Sequence, residues 1–139
     1  MAELTPTRTS RLKVLVVDDD PIVLQVVHEW LAAAGYTVFT REQALGTANW
    51  VAEEKPDVVV LDVGMPALAG NELANLMHRN HNTAQVAVIL YSAMEQEALL
   101  TMAKSSGAIG AIQKTSNGRA FLTQFERIIA VQRVRQARA

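Results

Sequence analysis

The run Leu12-Lys13-Val14-Leu15-Val16-Val17-Asp18-Asp19-Asp20-Pro21 decides the fold. Leu12 to Val17 is apolar throughout except for Lys13, the pattern of a strand buried on both faces rather than alternating in and out. Asp20-Pro21 then supplies a helix N-cap and a first-turn proline. The helix it opens runs through Ala34, with Val23, Val26, Val27, Trp30, Leu31 and Ala34 sharing one side. Gly35 stands where a C-cap glycine belongs. Outward from this unit the two periods keep alternating. Strands are expected at Tyr36–Thr40, Val58–Leu61, Val86–Tyr91 and Ile109–Gln113. Helices are expected at Glu42–Glu54, Leu68–Arg79, Glu95–Ser105 and from Asn117 onward. Pro56-Asp57 and Gly107 supply the stops. Strand–helix alternation of this kind predicts a doubly wound α/β fold, with parallel pairing, right-handed crossovers and helices on both faces.

Composition narrows the class. At 139 residues the chain is one domain's worth, and its 50% hydrophobic content is far too high for a disordered protein. Aromatics make up only 5%, so the core must be built mainly from Val, Leu, Ile and Ala. Lys plus Arg is 13 against 14 for Asp plus Glu, a net charge of −1, which argues against a protein that coats nucleic acid or an anionic membrane. The absence of cysteine excludes disulfides, thiolate catalysis and Cys-ligated metals, and suits a reducing compartment. No apolar run approaches the roughly 18 residues of a membrane span. Residues 1–11 are polar, lack the apolar core of a signal peptide, and read as a flexible lead-in. The expectation is a cytoplasmic protein with no membrane insertion.

In open parallel sheets ligands bind beyond the carboxyl ends of the strands, so the residues just after each apolar run matter most. These are Asp18, Asp19 and Asp20, then Asp62, Ser92 and Lys114. A parallel sheet projects them all onto one rim, however far apart they lie along the chain. Crowded carboxylates raise one another's pKa values unless a cation neutralises them. Hard oxygen donors with no His or Cys nearby favour Mg²⁺. Such an ion beside an exposed carboxylate, a hydroxyl and an ammonium is equipment for receiving a phosphoryl group, with the carboxylate attacking in line. A single Asp in such a place is commonly just a cap or a turn opener. Acids, hydroxyl and ammonium together at four strand ends are not explained that way.

These residues resemble the receiver domain of two-component response regulators, in the manner of the stand-alone chemotaxis regulators. The family's acidic pair matches Asp18 and Asp19, and its phosphorylated Asp matches Asp62 within Val59-Val60-Leu61-Asp62-Val63-Gly64-Met65-Pro66, followed by Gly70. Its hydroxyl residue matches Ser92, with Ala93 after it, and its Lys matches Lys114, at intervals that look like the family's. The resemblance implies a flavodoxin-like sheet of order 2-1-3-4-5 and a receiver domain over residues 12–130, with 131–139 as the basic end of the last helix. It implies Mg²⁺ held by Asp19, Asp62 and the backbone carbonyl of Gly64, with Asp18 acting through water. It further implies that a histidine kinase or histidine phosphotransfer protein supplies the phosphoryl group, making the chain a phosphoacceptor switch rather than an enzyme. Ser92 and Lys114 would contact that group. The change would be read out on the face built from the helix at 95–105, the strand at 109–113 and the last helix. There an unidentified protein target, or a second copy of the chain, would bind. Asp20 is the N-cap and not a metal ligand. The expectation, unless the sequence is a fragment of a longer protein, is a receiver without an attached output domain that signals through a non-covalent partner.

Three positions depart from the family pattern. Ala111 stands where an aromatic residue usually precedes the Lys, so the usual inward-swinging ring is absent; strand alternation puts Tyr91 on the face opposite Ser92, in a packing role. Thr115 replaces a proline commonly preceded by a cis bond, so a trans peptide is expected after Lys114. Gly64 and Met94, two residues beyond Asp62 and Ser92, offer no side chain to orient a hydrolytic water, which implies slow self-dephosphorylation.

Ala111 and Thr115 also keep a second reading in view, a pseudo-receiver that acts by binding alone. A haloacid-dehalogenase-type phosphatase would need a second acid at Gly64, and a flavin carrier would not tolerate three acids where a phosphate loop belongs. His78 and His81 read as a solvated helix end, and Trp30 and Trp50 as packing residues. Arg127, Arg133, Arg135 and Arg138 read as a solvated basic helix face. Direct nucleic-acid binding is not expected from four arginines with no interleaved aromatic.

Overall fold

The computed structural model describes residues 12–138; the lead-in expected at 1–11 lies outside the described residues. The first strand, β1 (Lys13–Val17), feeds α1 (Pro21–Ala33) through the acidic turn, and the Asp20 side chain caps the helix by accepting from the Ile22 backbone N–H at 2.9 Å. The chain continues as β2 (Thr37–Arg41), α2 (Thr47–Glu54), β3 (Val58–Asp62), α3 (Gly70–Arg79), β4 (Ala87–Ser92), α4 (Gln96–Ser106), β5 (Gly110–Gln113) and α5 (Gly118–Arg138). All four strand pairings are parallel, in the order β2-β1-β3-β4-β5. The doubly wound five-stranded sheet expected from the sequence is the fold observed.

The two faces carry separate cores. Val14, Val16, Val58, Val60, Ile89 and Tyr91 point toward Leu24, Val27 and Leu31 of α1 and Phe121, Phe125 and Ile129 of α5. Leu15, Val17, Val59, Leu61, Val88 and Leu90 meet Val51 of α2, Leu73, Ala74 and Met77 of α3, and Leu99 and Ala103 of α4. Burial on both faces is why the central strands read as unbroken aliphatic runs. Ala111 belongs to the second core and is 4% exposed, so its small side chain is sealed under the α3–α4 side. Trp30 packs on Phe121 with ring centroids 5.5 Å apart, and Trp50 lies against Phe39 at the same separation, in the packing roles expected.

Two local readings change. The expected helix from Glu42 begins only at Thr47. The Arg41 side chain claims the intervening loop, donating to Leu45 O at 3.1 Å and to Thr47 Oγ1 at 3.0 Å. Gly46, at φ 84°, adopts the left-handed conformation that closes this loop. In α1, Leu24 is buried and Val26 is 36% exposed, so the inward stripe runs through Leu24, Val27 and Leu31. The remaining element bounds agree with expectation to within about two residues.

At the far end of α5's core, the Tyr36 hydroxyl donates to Glu126 Oε2 at 3.0 Å. Burial, reinforced by that carboxylate, pushes the Tyr36 phenol well above its ordinary value of 10.0. The folded state therefore holds this proton more tightly than the unfolded chain does. The resulting stability is complete below about pH 10 and is lost as pH rises beyond it. Urea midpoints measured between about pH 8 and pH 11 should fall above pH 10 in the native protein, with a shallower fall in Tyr36→Phe; identical slopes would count against this account.

Candidate functional site

The carboxyl ends of β1, β3, β4 and β5 form the rim that the sequence singles out. Register fixes this: Val17 pairs with Leu61, Asp62 with Tyr91, and Ser92 with Gln113, so the next residues on β1 and β5 reach the same level. Asp18, Asp19 and Asp62 each bring a carboxylate oxygen within 4.8 Å of the others. Among the described residues this is the one group of three or more acids or histidines so gathered. Asp18 is fully buried, Asp62 is 7% exposed and Asp19 is open to solvent. Asp20 turns away to cap α1, as expected. His78 and His81 lie outside the cluster, and both are exposed.

Lys114 enters the cluster from the end of β5. Its Nζ lies 2.9 Å from Asp18 Oδ2 and 3.3 Å from Asp62 Oδ1, with the side chain 25% exposed. Burial alone would lower the ammonium's pKa, but Asp18 and Asp62 outweigh it and hold the charged form above its ordinary range. Burial raises the Asp18 carboxyl, opposed by the hydrogen bond that Asp18 Oδ1 accepts from the Asp20 backbone N–H at 2.9 Å. Asp18 Oδ2 faces the Lys114 ammonium as an ion pair at 2.9 Å, and no other donor reaches this buried oxygen. A buried oxygen met by one ammonium alone, in a donor set of three carboxylates, fits a hard cation or the water it carries.

Ser92 closes the far side of the rim. Its Oγ accepts from the Met94 backbone N–H at 3.1 Å, and its backbone carbonyl accepts from Lys114 N at 2.7 Å. The hydroxyl proton is therefore left for another acceptor. Gln113 Nε2 donates to Met94 O at 3.0 Å, tying β5 to the loop after β4, a link the sequence reading missed. No described peptide bond is cis, so Lys114 is followed by the expected trans bond.

Asp62 is carried by a loop that only glycine can close. Gly70 N donates to Val63 O at 3.0 Å, and a Cβ on Gly70 would overlap the Asp62 carbonyl. Glu72 Oε1 accepts from Ala69 N at 3.2 Å, fixing the start of α3, while Ala67 sits at φ 70°, strained for a residue with a Cβ. Gly64 lies exposed in the same loop, with open space where a Cβ would stand.

Tyr91 is the residue whose role the sequence reading left most incomplete. It lies on the face opposite Ser92, as alternation requires, in the core shared by α1 and α5. Its ring nevertheless reaches the rim, with Lys114 Nζ 5.6 Å from the centroid, and its edge meets Phe121 at 5.3 Å and 75°.

Comparison with known proteins places this arrangement. A family model described as the response regulator receiver domain matches residues 14–126. Protein PilH of Pseudomonas aeruginosa is 26% identical over 118 residues, covering 85% of this chain and 98% of that protein. The transcriptional regulatory protein KdpE of Mycobacterium tuberculosis is 38% identical over 76 residues, covering 55% of this chain; the match spans only 33% of KdpE's length. The solved structure of the chemotaxis response regulator CheY4 of Vibrio cholerae superposes with a TM-score of 0.78 at 25% identity, covering 85% of this chain and 98% of that one. Fold, strand order and family match agree, and the chain belongs to the response regulator receiver-domain family.

Proposed function

We propose that the chain is a phosphorylation switch in which Asp62 accepts a phosphoryl group from a histidine kinase or a histidine phosphotransfer protein. The observation that carries this reading is the meeting of Asp18, Asp19 and Asp62 with the Lys114 ammonium at the ends of three parallel strands. An Asp62 carboxylate oxygen attacks phosphorus in line, and the new O–P bond forms as the bond to the donor's imidazole nitrogen breaks. That nitrogen leaves with the electron pair and takes up a proton. Mg²⁺, bound by Asp19, Asp62 and the Gly64 carbonyl with Asp18 through water, would offset charge on the transferring oxygens. Lys114 would supply a second positive charge beside Asp62, and the free Ser92 proton a hydrogen bond. The acyl phosphate then changes what the chain binds.

A cytoplasmic location goes with this reading, because such donors draw on ATP. The chain works as a phosphoacceptor, with slow self-dephosphorylation as its only turnover. The retained acids and ammonium argue against a module governed by binding alone. Acetyl phosphate with Mg²⁺ should add one phosphoryl group to the native protein, read by intact mass, and none to Asp62→Asn. Equal labelling of Asp62→Asn would exclude Asp62 as the acceptor.

Two residues beyond Asp62 and Ser92 stand Gly64 and the half-buried Met94, and neither can orient a water on the acyl phosphate by a strong hydrogen bond. A Cβ at Gly64 would meet nothing within 4 Å, so a larger residue can start there. After donor removal, Gly64→Asn should lose its phosphoryl group about threefold faster or more than the native protein. An unchanged half-life would show that water access is controlled elsewhere.

A further inference from the structure

We infer that Tyr91 is a positioning residue for Lys114, holding the ammonium over the acidic cluster through the face of its ring; this rests on the phosphoacceptor reading. Lys114 is a four-carbon stem at the exposed edge of a sheet, and such a side chain has many rotamers to lose. Two carboxylates attract its Nζ, Asp18 at 2.9 Å and Asp62 at 3.3 Å. Nζ also lies over the Tyr91 ring, 5.6 Å from its centroid, within the range where the negative face of an aromatic ring attracts a cation. The ring is held by its packing. Tyr91 is 3% exposed and meets Phe121 in a T-shaped contact, and Phe121 stacks on Phe125 at 6.0 Å and contacts Trp30. Burial raises the Tyr91 phenol, opposed by the Thr115 backbone amide and the Lys114 ammonium. The neighbouring β5 position that could also place an aromatic near the rim is Ala111, which is buried in the opposite core. Tyr91 is therefore the aromatic ring the structure provides for the ammonium.

The test compares phosphorylation of Asp62 by acetyl phosphate, with Mg²⁺ saturating, in single and double variants. Tyr91→Leu should lower the rate about three- to tenfold, with Tyr91→Phe restoring it because the ring face remains. In a Lys114→Ala background the same Tyr91→Leu change should be silent, since its effect passes through the ammonium. A trifluorinated phenylalanine at position 91 keeps the ring's shape and weakens its negative face, so it should slow the reaction as Leu does without opening a cavity. It decides the matter if Tyr91→Leu fails to fold. The inference is overturned if Tyr91→Leu slows the native and Lys114→Ala proteins equally, if it slows neither, or if the fluorinated ring behaves as phenylalanine. Failure of the native protein itself to be phosphorylated would instead overturn the phosphoacceptor reading.

Discussion

Mutual repulsion among three carboxylates is the constraint around which this rim is organised. Like charges at about 4 Å repel by about 4 kcal/mol even at an effective dielectric of about 20, and one ammonium cannot cancel three such neighbours. The fold tolerates the crowding because different strands hold the acids in place. β1 fixes Asp18 and Asp19, β3 fixes Asp62, and β5 delivers Lys114 between Asp18 and Asp62. Burial raises the Asp18 carboxyl, with repulsion from Asp62 adding to it, and its Oδ2 meets only the Lys114 ammonium. A sheet this thoroughly buried on both faces gives the rim a rigid base. Beside the rim, strain sits in the loop after Asp62, where Gly70 touches the Asp62 backbone and Ala67 takes a positive φ.

The same rim joins the two cores. Ser92 and Gln113 connect to the loop that enters α4, through Met94 N and Met94 O. Tyr91 connects to α5 through Phe121, and from there the aromatic packing continues through Phe125 to Tyr36. Lys114 sits where the two connections meet, bonded by its backbone to Ser92 and lying over Tyr91.

Much of this was legible because a parallel sheet converts strand ends into neighbours regardless of their distance along the chain. Asp18, Asp62 and Lys114 could be placed on one rim from the apolar runs that precede them, and Asp20 as a cap from the proline that follows it. The start of α2 was not legible. The residues from Glu42 have ordinary helical composition, and what keeps them out of the helix is the Arg41 side chain arriving from the end of β2. Leu24 was missed for a related reason: the stripe on α1 is set by where α5 packs, not by hydrophobicity alone. Alternation put Tyr91 correctly on the far face from Ser92. It could not show that the ring extends to the rim beneath Lys114, since that depends on the reach of two long side chains.

On this reading Asp18, Asp19 and Asp62 share a single divalent cation. Mg²⁺ titrated into the isotopically labelled protein, and followed through backbone amide resonances, would reveal it. Saturable single-site shifts centred on residues 18–19 and 62–64 are expected, abolished or greatly weakened in Asp19→Asn. Shifts scattered over the acidic surface, or a response unchanged in Asp19→Asn, would rule out a shared ion.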